Sequence, residues 1–146
     1  MNETDLLRRL ARALSLDADA LVAIVAAGGH TLPAEQAAAL AGADGEVSDG
    51  WLGVFLEGLI LTRRGPREPG SPPPVPDTRP TPNAVLKKLR IALTLHEADM
   101  LRIFAAGGLV LSPQLLGPLF RKPGTKHFRK CPPEVLDAFV AGLAAG

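Results

Sequence analysis

Apolar positions along the chain recur at helical spacing. Leu7, Leu10 and Leu14 stand at i, i+3 and i+7 and would line one face of a helix. Leu86, Leu89 and Leu93 repeat that stripe further on. Leu21, Ile24 and Val25, and again Met100, Ile103 and Phe104, form a second stripe. Between the stripes Thr94-x-x-Glu97 fits a capping box, while Gly28-Gly29 and Gly107-Gly108 suit helix ends that need a positive φ. A third short helix is expected near Pro33 and near Pro113, the latter with Ser112 as N-cap. A fourth is expected over 48–61 and over 133–145. The fold class predicted is all-α, four helices in each half and about eight in total.

The two halves read as copies. Residues 6–29, LLRRLARALSLDADALVAIVAAGG, align with 85–108, VLKKLRIALTLHEADMLRIFAAGG, with 10 of 24 positions identical at an offset of 79. Leu52, Phe55, Gly58 and Leu59 match Leu136, Phe139, Gly142 and Leu143 at an offset of 84. The five extra residues of the second copy would thus lie between its third and fourth segments. Matched glycines and matched ends favour duplication over the chance likeness of two Ala/Leu-rich stretches.

Composition adds a boundary. Gly65–Pro82 holds eight of the 14 prolines (Pro66, Pro69, Pro72, Pro73, Pro74, Pro76, Pro80 and Pro82), which predicts an extended, partly polyproline linker. The expected organisation is a helical repeat over 1–64, a Pro-rich linker over 65–82 and a second repeat over 83–146. A lone unit of about 60 residues would be marginally stable, so the two are expected to pack with pseudo-two-fold symmetry. The acidic start, Met1-Asn2-Glu3-Thr4-Asp5, does not look like a secretory signal, and no stretch is apolar for the roughly 18 residues of a membrane span. The single cysteine, Cys131, excludes an internal disulfide. A cytoplasmic protein is expected.

The tandem pattern, with LKKLRIAL, the double-glycine helix end, FRKPGTKHFRKC and the closing FxxGL, resembles the bacterial YehS-like family of domains of unknown function. The likeness spans nearly the whole chain outside the linker. Its most specific part is Phe120-Arg121-Lys122-Pro123-Gly124-x-Lys126-x-x-Arg129-x-Cys131, followed by Leu136, Phe139, Gly142 and Leu143; Arg63-Arg64-Gly65 also fits. The resemblance implies a small helical protein with two such repeats and no established activity. The chain departs from the pattern at Ala41-Gly42-Ala43-Asp44-Gly45-Glu46 and at Pro132-Pro133. A role requiring two equivalent basic loops is therefore not expected.

Charge changes the picture once it is divided. The formal net charge is +1, yet residues 1–64 carry five Lys/Arg against nine Asp/Glu, or −4, and residues 83–146 carry nine against four, or +5. Five cations, Arg121, Lys122, Lys126, Arg129 and Lys130, fall within ten residues that hold no acid, with His127 and Phe128 between them. A Pro-Gly turn bearing such cations around an aromatic can hold phosphate oxygens while Phe128 stacks on a base. Lys87 and Lys88, with Arg90 beyond them, would extend the patch from the unit's first helix. A solvated basic loop, or one paired with the acidic first repeat, accounts for the same residues. Gly124-Thr125-Lys126 is not a phosphate-binding P-loop, because the Gly-Lys-Ser/Thr order and a preceding strand are missing.

Cys131 is a candidate reactive thiol. If Pro132 opens the last helix, the positive helix end beside Arg129 and Lys130 would favour thiolate, and His127 lies four residues back. A buried structural thiol is the plainer reading. His30, His96, His127 and one cysteine give no zinc spacing, so no metal is expected. Asp17 and Asp19 read as helix-start acids, Glu57 as solvent-facing and Trp51 as packing. No catalytic residue and no cofactor is expected. The function expected is binding of an anionic partner, nucleic acid foremost, through the second repeat; the alternative is a protein–protein adaptor or homodimer.

Overall fold

Four helix ends are closed in the same way, and they set the turns of the chain. After α1 (Glu3–Ala13) the Ser15 N–H donates to Arg12 O and the Leu16 N–H to Ala11 O, at 3.2 and 2.8 Å, with Ser15 at φ +57°. This is the Schellman arrangement, in which a left-handed residue turns two amides back onto open carbonyls. It recurs after α2 (Ala18–Ala27) at Gly29, after α5 (Pro82–Ala92) at Thr94 and after α6 (Glu97–Ala106) at Gly108. The glycine pairs therefore act as expected, the second of each pair taking the positive φ.

Thr94 does not cap α6. It is spent in the left-handed position of the preceding helix end, and the cap falls two residues later at His96, whose N–H donates to Asp99 Oδ2 at 2.9 Å. That bond, with Arg102 at 2.9 Å, holds the Asp99 carboxyl below its usual range. At four other helix starts the caps are side-chain oxygens: Asn2 to Asp5 N–H, Asp17 to Ala20 N–H, Thr81 to Ala84 N–H and Ser112 to Leu115 N–H.

The computed structural model describes residues 2–42, 45, 47–65, 68–70 and 75–145. Among them the chain is all-α, with eight helices, one 3-10 turn and no strand, and it divides into Met1–Pro80 and Thr81–Gly146. The first unit adds α3 (Ala34–Ala41) and α4 (Trp51–Arg64); the second adds α7 (Pro113–Leu116), the 3-10 turn (Gly117–Phe120) and α8 (Pro133–Ala145). At the offset that aligns the two halves, the capping positions Asn2, Asp17 and Pro33 fall on Thr81, His96 and Ser112. The third helices then diverge. Pro118 cannot donate a backbone hydrogen bond, and α7 gives way at Gly117 to the 3-10 turn.

Each unit builds its core from the predicted stripes. Leu7, Leu10, Leu21, Ile24 and Val25 are buried in the first; Leu86, Leu89, Met100 and Phe104 are buried in the second, where Phe104 and Phe139 meet at 5.2 Å between ring centroids. Leu14 and Leu93 fall outside the helices as C-caps and are half-buried. The α2–α4 and α6–α8 pairs approach at glycine. A Cβ on Gly58 would lie 2.0 Å from Ile24 O, and one on Gly142 would lie 1.8 Å from Ile103 O. The fourth helix of the first unit begins at Trp51, three residues later than its expected start. The intervening Ser48 is held with the Trp51 Nε1–H on Gln36 Oε1, at 2.8 Å each.

Residues 66, 67 and 71–74, which carry much of the expected polyproline segment, and residues 43, 44 and 46 of the departing stretch lie outside the described residues. Of the rest, Pro82 belongs to α5 rather than to a linker, because its missing N–H costs nothing in a helix's first turn. The Asp77 carbonyl packs on α4, leaving no room for a Cβ at Gly53. Among the described residues no helix is long and apolar enough to cross a membrane.

Candidate anion-binding site

The basic segment 121–130 connects the 3-10 turn to α8, and backbone bonds shape it from within. Lys122 O accepts from the Thr125 N–H at 3.2 Å and from Thr125 Oγ1 at 2.6 Å, closing a turn with Gly124 at φ +88°. Thr125 O accepts from the Phe128 N–H at 3.2 Å, and Pro118 O from the Arg129 N–H at 3.1 Å. The turn's positive φ is why glycine follows Pro123.

One side chain ties this segment to α5. Asn83, in the first turn of α5, is buried. Its Nδ2 donates to Leu119 O at 3.0 Å and to Arg129 O at 2.9 Å, and its Oδ1 accepts from the Cys131 N–H at 2.8 Å. The amide thus holds both ends of the basic segment, with two donors on two carbonyls and its acceptor on an N–H. Nothing in the composition marks it. An Asn in a helix's first turn reads as local capping, and its partners lie 36 to 48 residues away.

Arg121, Lys122, Lys126, His127, Arg129 and Lys130 are all exposed, and Phe128 is half-buried. No ion pair joins any of the five Lys/Arg to another described residue. Lys87 is exposed, and at 100° per residue it falls within about 60° of both Asn83 and Arg90 on α5. Asn83 binds the segment, and Arg90 lies over Phe120 with its guanidinium carbon 4.7 Å from the ring centroid. Lys87 therefore stands on the face of α5 turned to the basic segment. Arg8, which aligns with Lys87 in the first unit, reaches the corresponding connection there, donating to Ala39 O and Gly45 O at 3.1 and 2.6 Å. Lys88 is turned about 100° from Lys87. It is half-buried and has a partner within the chain.

Cys131 ends the segment in a setting opposite to the one expected. Its thiol is fully buried, and burial pushes it up to about 11, against a lowering by the Leu136 N–H and with a further rise from Glu134. Pro132 does open the last helix, its carbonyl accepting from the Val135 and Leu136 N–H groups. Desolvation nevertheless outweighs the helix end, because a thiolate there would lose its water. Sγ lies 3.4 Å from Pro132 O as a thiol donor. His127, proposed as its base, is exposed on the segment. Among the described residues no group of three or more His, Cys, Asp or Glu is placed to hold a metal ion.

Residues 82–145 match the family described as "Protein of unknown function (DUF1456)". The chain is also similar to the uncharacterized protein YehS of Escherichia coli (strain K12), with 35% identity over 150 residues that take in 99% of this chain and 96% of that protein. No solved structure matches it. Likeness across nearly the full length of both chains places this protein in the YehS-like family of proteins of unknown function.

Proposed function

We propose that this is a binding protein without catalytic activity, acting in the cytoplasm, whose second unit contacts the phosphates of nucleic acid. One observation carries the reading: five exposed cations on a segment held at both ends by Asn83, none ion-paired to a described residue. Cations on a backbone already held lose less freedom on meeting phosphate than cations on a loose loop. Lys87 borders them, while Phe128 and His127 offer faces on which an unpaired base can stack.

The test is binding of labelled single- and double-stranded DNA and RNA at about 50 and 200 mM salt. If three phosphates are neutralised, affinity falls roughly 40-fold between those salts, at about 0.9 in slope per phosphate. Lys126→Ala with Arg129→Ala would then reduce both affinity and slope. Binding unchanged by that pair refutes the assignment.

The division of charge, −4 over residues 1–64 against +5 over 83–146, favours a second reading. In it the basic unit meets the acidic unit of another copy or of a partner protein. Salt-sensitive association of the pure protein in light scattering, with no oligonucleotide binding, would select it.

A further inference from the structure

Arg90 is held in place by its middle and left open at its tip. The guanidinium lies on the Phe120 ring at 4.7 Å from the centroid, and Nε donates to Leu95 O at 3.2 Å. Neither Nη group has a hydrogen-bond partner among the described residues. Neither is buried: among the described residues, the buried side-chain polar atom without a partner is Glu3 Oε1. The two Nη groups therefore face water while the stem and the plane are fixed.

A planar guanidinium presents parallel N–H groups that match two oxygens of a phosphate, which a lysine ammonium cannot do. Fixing the plane on an aromatic face removes much of the ordering that a flexible arginine undergoes on binding. Phe120 is followed directly by exposed Arg121, and Lys87 lies one turn before Arg90 on the same face of α5. These two exposed cations stand next to Phe120 in sequence and next to Arg90 in helical register, within reach of a phosphate seated on the Arg90 Nη pair if their side chains turn to it. The position that aligns with Arg90 in the first unit is Ala11, which is buried, so the device belongs to the second unit alone.

We propose that Arg90 is the anchoring arginine of a phosphate subsite flanked by Lys87 and Arg121. It deepens the nucleic-acid reading, with the backbone phosphate of a strand as the ligand, and is separable from it because the same fork would take a free phosphate. The experiment follows the arginine Nε–H signals of the full chain by NMR during titration with inorganic phosphate and, separately, with oligothymidylate. The Arg90 signal shifts with both. Arg90→Lys keeps the charge and loses the fork, so it weakens both ligands about tenfold or more, the effect of losing one charge-assisted hydrogen bond. Arg90→Gln lowers the oligonucleotide salt slope by about 0.9, which a packing role would not do. If the glutamine variant does not fold, the lysine variant decides, with its fold checked by circular dichroism. Wild-type binding of both ligands by folded Arg90→Lys overturns the subsite. Oligonucleotide binding indifferent to Arg90 overturns the subsite and leaves the nucleic-acid reading standing. A phosphate response at Arg90 without oligonucleotide binding keeps the subsite and overturns that reading.

Discussion

Asn83→Ala should loosen the second unit more than a polar substitution at its surface. The change deletes two donated bonds, to Leu119 O and Arg129 O, and one accepted bond, from the buried Cys131 N–H. At about 1 kcal/mol for each bond, the loss is roughly 3 kcal/mol, and the Cys131 amide, left dry and unpaired, pushes toward the upper end. A domain of this size has only about 5–15 kcal/mol in hand. The reading should be local: native-state hydrogen exchange of the Leu86, Leu89 and Cys131 amides, expected about a hundredfold faster. Asn83→Asp sharpens the test. A carboxylate keeps an acceptor for Cys131 but turns an anionic oxygen toward two carbonyls, so its own protonation is favoured in the folded state. With that pKa raised above the unfolded value near 3.9, protons bind the folded form more tightly, and the variant gains stability as pH falls from 7 toward 4. Exchange within threefold of wild type in Asn83→Ala, or an aspartate variant insensitive to pH, would refute the account of the clamp.

Other substitutions test the packing. Gly142→Ala places a Cβ 1.8 Å from Ile103 O, so α6 and α8 must separate at a cost of about 3 kcal/mol, measured as a drop in thermal stability. Gly107→Ala meets Ala138 O at 1.8 Å and destabilises similarly, whereas Gly28→Ala, with nothing nearer than 3.6 Å and φ at −86°, should stay within about 0.5 kcal/mol of wild type. Opposite outcomes at these two aligned glycines would show how far the units' packing differs. Cys131 should label with a disulfide reagent at pH 8 at least a hundredfold more slowly in the native protein than in urea, since the thiol is buried and burial pushes it up to about 11. The unfolded thiol ionises first, so the unfolded state binds fewer protons over roughly pH 9–11, and stability falls as pH rises through that window.

What could be read from the chain beforehand follows the range of the interactions concerned. Helices announced by stripes such as Leu21, Ile24 and Val25, and ends announced by Gly28-Gly29 or Ser112-Pro113, depend on neighbours within five residues, and these appear where the pattern puts them. Thr94 shows the limit of that logic. A hydroxyl three residues before a glutamate fits a cap, but the same residue also closes the preceding helix, and the Schellman bonds from Thr94 and Leu95 onto Ile91 O and Arg90 O took it. A β-branched residue at φ +53° is strained, so no local preference would have chosen it.

The site was legible as a cluster and illegible as a geometry. Five cations in ten residues are visible in any listing of the sequence, and so is Lys87 beside Lys88. Which lysine faces the segment depends on where α5 docks, and that is settled by Asn83 reaching Arg129 O, 46 residues on, and by Arg90 settling on Phe120. Cys131 turned the same way. Sequence distance to Arg129 and Lys130 argued for a thiolate, but the sulfur is buried while those cations are exposed, and desolvation outweighs the helix end that its position supplies. A charged patch can be counted from the residues that carry it. How the backbone that carries it is docked on α5 is decided by a neutral amide and an aromatic ring that carry no charge at all.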